Sequence, residues 1–212
     1  MTAEAIVWHT ALVPVPAPRE RTTHLGDRAA DDLRFIRNAM ARSATFSAVP
    51  GVGGAVMGAI GLAAAVAGWM QPTPDRWLAV WLVAAGVAFG VGLWAIVTKA
   101  SRAGLPLHGP TSRNFALGIA APLAAGVAIT FALWSARTYA ALPAVWLLLY
   151  GTALLAGGVF SVPVVRLTGA LFMVFGFAAV LTPPGLGNLW LGAGFGLLQI
   201  VGGIFIARRH GG

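Results

Sequence analysis

The 212-residue chain has no cysteine and only six acidic residues. The first absence removes disulfides, thiolate metal ligands and cysteine nucleophiles. The second leaves Glu4, Glu20, Asp27, Asp31, Asp32 and Asp75, none of them inside a long apolar stretch. Proton-coupled carriers and pumps place carboxylates or histidines within the membrane, and paired carboxylates do most general acid–base work. His9, His24, His108 and His210 also fall in tails or loops, which leaves no axial haem ligands and no members for a Ser/His/Asp arrangement. Zinc-protease and P-loop spacings are missing too. No catalytic, cofactor-binding or metal-ligating residue emerges, and a non-enzymatic protein without cofactors is expected.

Charge as a whole is scarce. Charged residues make up 9% of the chain and hydrophobic residues 58%, with mean hydropathy +0.81. A soluble domain carries about 25% charged residues. The deficit points to a membrane protein whose first partner is the lipid bilayer. A net charge of +8 would suggest nucleic acid in a soluble chain. Here the cations sit mainly in tails and alternate loops, as the positive-inside rule requires, and no nucleic-acid partner is expected.

What is present is a run of six apolar stretches near residues 45–70, 77–98, 114–135, 140–161, 164–182 and 187–207. Each approaches the roughly 20 residues needed to cross about 30 Å of hydrocarbon. Lipid offers the backbone no hydrogen-bond partner, so each must be helical. The expectation is an all-α, polytopic fold of six transmembrane helices over residues 44–212, preceded by a cytoplasmic amphipathic helix. With the N-terminus inside, twelve Lys and Arg residues fall on the inner side and only Arg76 and Arg137 outside. That bias places both termini in the cytoplasm and the protein in a bacterial inner membrane. Trp69, Trp77, Trp134, Tyr139 and Trp190 collect at the outer boundary, Trp81 and Trp146 lie a turn or so deeper, and an interfacial aromatic belt accounts for them.

Residues 1–26 read as a flexible, Pro-containing tail. Pro14, Pro16 and Pro18 follow its short apolar runs in place of a cleavage site, so residues 1–43 are kept in the mature protein. An unanchored terminus is the first reading of Ile6, Val7 and Trp8, with a docking peptide as the alternative. Residues 27–43 read as an amphipathic helix. Leu33, Ile36 and Met40 share one face, Phe35 falls off the stripe, and Arg34 and Arg37 supply basic contacts. The helix suits either the membrane surface or a partner protein.

Three features inside the spans carry interest. Gln199 lies with Gly192, Gly196 and Gly203 at spacings of four, three and four, a pattern for close helix packing, with a homo-oligomer contact as the alternative. Gly54/Gly58 and Gly86/Gly90 repeat the small-residue spacing, while Asn188 is placed to cap the last span. Arg166, after Pro163, fits an interfacial position from which it snorkels, or an anion contact at a pore mouth.

The segments LRFIRNAM and FSAVPG within 33–51, RWLAVWL at 76–82, WLLLYG at 146–151 and the IARRHGG ending carry a resemblance. In these the chain resembles a group of uncharacterised bacterial six-span integral membrane proteins, from Asp32 onward. The resemblance implies no catalytic or binding residues; it implies membrane partnership in regulation, since the group neighbours small DNA-binding regulators. The sequence therefore reads first as a membrane scaffold or regulatory partner, contacting a cytoplasmic protein through residues 27–42 and the inner loop 98–113. The alternative is a small transporter or channel for a neutral or weakly anionic solute, with Gln199 on its path and Arg166 at its mouth.

Overall fold

The computed structural model describes residues 30–34, 49–102, 104 and 109–210. Residues 30–34 are helical and exposed, and carry an Arg34–Asp31 ion pair at 3.6 Å. The tail 1–26, the contact candidates Phe35, Ile36, Arg37 and Met40, and most of loop 103–108 lie outside the described residues. Residues 1–41 and 42–212 form two separate units, and the spans belong to the second.

That unit is all-α, with six helices long and apolar enough to cross a membrane. The spans are α1 (Gly51–Trp69), α2 (Pro74–Arg102), α3 (Pro110–Ser135), α4 (Leu142–Gly158) and α5 (Pro163–Leu181). The sixth combines α6 (Gly187–Leu191), a π-helical segment (Gly192–Leu198) and α7 (Gln199–His210). Prolines set several starts. Pro110 and Pro163 occupy the first turns of α3 and α5, where the missing N–H costs nothing, and Gly109 and Val162 before them are extended. The first span begins at Gly51, later than hydropathy indicates, because Pro50 holds an extended backbone (φ −83°, ψ 121°) at its entry.

Hydroxyls within the spans turn back onto their own helices. Thr152, Thr168 and Thr182 donate to the carbonyls of Leu148, Val164 and Ala178, four residues earlier. Among the described residues no buried side-chain nitrogen or oxygen lacks a partner. An apolar solvent demands this, because nothing outside the protein can pair such a group.

Span one packs on spans two and six, span four on three and five, and span six also touches four and five. Spans two and three share no comparable backbone seam. Their most apolar stretches are only 11% and 6% buried, against 33% for spans one and six, so they form the flanks of the bundle. The tightest seam joins spans one and six. Methyl groups at Gly51, Gly61 or Gly203 would fall on the backbones of Ala207, Phe195 and Ala55, well inside van der Waals contact. At these positions only hydrogen fits. By contrast, Gly86 and Gly90 have open space around them. Gly86→Leu is expected to be neutral, or stabilising by up to about 1 kcal/mol through helix propensity, when unfolding is followed in detergent. A dimer built on that pair would instead dissociate in the same variant.

Candidate functional site

One end of the bundle, called here the basic end, carries Lys99, Arg102, Arg113, Arg166, Arg208 and Arg209; the other carries Asp75. The Asp75 end is closed by a polar latch over an aromatic layer. In the latch, the Asp75 carboxylate accepts hydrogen bonds from Trp134 Nε1 (3.1 Å), Arg137 (2.9 Å) and the Tyr139 hydroxyl. This links the start of span two to the turn between spans three and four. Arg137 sits at φ 58°, a region favoured by glycine. Its amide bonds to Trp134 O and that of Thr138 to Leu133 O, which caps α3 and swings the guanidinium toward Asp75. The latch is solvent-exposed, so screening limits its worth. Asp75→Ala should lower the melting temperature far less than loss of Asn188, discussed below.

Beneath the latch, Asn188 ties three spans together. Its Oδ1 accepts from both Trp77 Nε1 and Trp81 Nε1 at 3.0 Å, and its Nδ2 donates to Ala65 O at 2.7 Å. Trp77 stacks on Trp146 with centroids 5.8 Å apart, and Trp81 meets Phe195 at 6.4 Å. Phe195 continues to Tyr150 and Phe172, at 5.0 and 5.2 Å. Trp77, Trp81 and Trp146 thus face inward onto a half-buried amide and one another, whereas the sequence reading placed them in an interfacial belt. Asn188, read there as a helix cap, is the acceptor that draws two of the indoles in.

On the other side of this layer lies a cavity of about 210 Å³ to which every span contributes, through Met57, Leu93, Leu123, Tyr150, Thr168 and Gln199 among others. Its wall is almost wholly apolar, and no charged residue lines it among the described residues. Polarity is concentrated on one pair: Gln199 Nε2 donates to the Tyr150 hydroxyl at 3.2 Å. Thr168 stands nearby but spends its proton on Val164 O. A glutamine amide has two donors and an acceptor oxygen, and a phenol can both donate and accept. One bond between them leaves an amide oxygen, an amide N–H and a phenolic O–H with no partner among the described residues. The pair can therefore receive both a donor and an acceptor from a guest.

Gln199 reaches this position from the end of the π segment, where its amide bonds to Gly194 O five residues back. The i→i+5 turn shifts the register from that of an unbroken α-helix. Gly192, Gly196 and Gly203 then abut Ala65, Leu62 and Ala55 of span one, while Gln199 points across to span four. Arg166 is exposed in the first turn of α5 beside Gly158, and it is not part of the cavity wall. At the basic end Lys99 Nζ donates to Val49 O at 3.0 Å. Tyr150 was not singled out from the sequence, where nothing links it to Gln199, 49 residues away.

This geometry can hold a neutral molecule by shape and one or two hydrogen bonds. It offers no acid–base pair, and the described residues hold no group of three or more potential metal ligands. Neither protein-family models nor curated proteins nor solved structures give a match to this chain, so its function is argued from the cavity and the seams around it.

Proposed function

We propose that the protein is a membrane carrier that binds a small, neutral, largely apolar solute in the cavity lined by all six spans. The observation that carries this is the Gln199–Tyr150 pair, a polar spot with unspent hydrogen-bonding capacity on an otherwise apolar wall. An ion would be bare in such a site, because burying an unpaired charge costs far more than one hydrogen bond returns. With Arg166 outside the wall, a weakly anionic solute has no counter-charge, which narrows the class to neutral molecules. The Asp75 end is sealed and the cavity lies on the other side of the seal, an arrangement suited to alternating access. By the positive-inside rule the basic end faces the cytoplasm.

The test is uptake into liposomes across a panel of radiolabelled small monoalcohols and monoamides with aliphatic or aromatic bodies, with Gln199→Leu beside the wild type. Saturable uptake of at least one solute is expected. The variant should reduce its kcat/KM by about tenfold, the worth of one hydrogen bond of about 1.4 kcal/mol. Uptake that never saturates, or that ignores the variant, would remove the carrier reading.

One observation favours the scaffold reading as a second possibility: Leu33 is 63% exposed on the helical stretch 30–34. Crosslinking in native membranes, comparing the full chain with one lacking residues 1–42, addresses it. A partner retained only by the full chain supports a docking role, and retention by neither opposes it.

A further inference from the structure

The site's occupant can be narrowed further, on the reading that the cavity is a binding site. Of the described residues lining it, only two are exposed on the bundle's surface: Phe89, at 63%, and Leu93, at 54%. Both belong to span two, which has no backbone seam with span three comparable to those elsewhere in the bundle. Phe89 is 15 residues from Pro74 and 13 from Arg102, or about 22 and 20 Å along a helix rising 1.5 Å per residue. That is the middle of the hydrocarbon. The surface opening therefore faces acyl chains.

Size and polarity agree with this route. An apolar cavity of about 150 Å³ admits benzene, so one of about 210 Å³ holds a compact head and a few carbons, and no more. A longer tail must leave through the gap between spans two and three, where Phe89, Leu93 and Leu123 give it an apolar passage. The head meets Gln199 and Tyr150, which require a neutral group able to donate and accept, such as a hydroxyl. Among the described residues no cation is present in the wall for a phosphate or carboxylate.

We infer that the cavity takes a neutral single-chain amphiphile directly from the bilayer, head first between spans two and three, with its hydroxyl-type head on Gln199 and Tyr150 and its tail left in the lipid.

The experiment uses the full chain in liposomes containing hexadecanol with a diazirine in mid-chain, and adducts are mapped by mass spectrometry. Adducts are expected to concentrate on Phe89, Leu93 and Leu123 over the lipid-facing Val174 of span five. Gln199→Leu should cut the portal adducts by about tenfold at low probe, one hydrogen bond's worth. Tyr150→Phe should act in the same direction, and Gly86→Leu should have no effect. Hexadecanoate carrying the same diazirine, ionised at high pH, should label the portal no more than Val174. Equal labelling of Val174 and Leu93, insensitive to both site variants, would mean ordinary boundary lipid and overturn the inference. Saturable binding of 4-fluorobenzyl alcohol without concentrated hexadecanol adducts would leave the binding site standing and reject the lipid-borne occupant. If neither probe binds, both readings fail.

Discussion

Gly61→Leu is expected to be the most damaging single substitution in the membrane domain. A Cβ at this position would fall on the Phe195 carbonyl, so the obstacle is backbone and no rotamer change can relieve it. Overpacking a core costs about 1–3 kcal/mol, and more where the backbone must move. Here two helices must separate, and Phe195, which anchors the aromatic layer, moves with them. The expected loss is about 3 kcal/mol or more, read by reversible unfolding in mixed micelles. Gly86→Leu in the same assay serves as the control for side-chain volume, because it places the same group in open space. Equal behaviour of the two variants would mean that the seam between spans one and six is not closely packed.

Asn188→Leu ranks second. The substitution keeps the branched shape and the number of heavy atoms and removes the acceptor shared by Trp77 and Trp81. Each buried donor left without a partner costs about 1–3 kcal/mol, though measured values between membrane helices run lower, about 0.6–1.7. Two orphaned indoles give an expected loss of about 2–4 kcal/mol. The mechanism has its own signature. Trp81→Phe in the Asn188→Leu background removes one orphan, so the double variant should be more stable than the sum of the singles by about 1 kcal/mol. Strict additivity would show that the indole–amide bonds contribute nothing.

Six spans were legible in the sequence because their signal is local: length and hydropathy within each stretch suffice when the solvent is hydrocarbon. Gly54 and Gly58 were legible as packing residues too, since their spacing places both on one face, and they meet Gly203 and Ile200 of span six. The same spacing misleads at Gly86 and Gly90, which face open space. Nothing in the motif says whether a partner helix lies opposite. Inward tryptophans were hidden for a different reason. An indole suits a headgroup interface and a buried amide equally well, and only the arrival of Asn188 from 107 and 111 residues away distinguishes the two. The site was half visible. Gln199 stood out as a deep amide, but its assignment to the glycine face assumed an unbroken α-helix. The π segment changed that register, and a run of small and apolar residues such as GAGFGLL carries no clear mark of it.

The Gln199–Tyr150 cavity is expected to bind a neutral head group. The most direct test is ¹⁹F NMR titration of 4-fluorobenzyl alcohol, whose ring and hydroxyl match the cavity's size and polar pair, into wild-type protein, Gln199→Leu and Gly86→Leu in the same micelles. Saturable binding is expected for the wild type and for Gly86→Leu. A Kd about tenfold weaker is expected for Gln199→Leu. Linear partitioning, identical for all three proteins, would contradict the account.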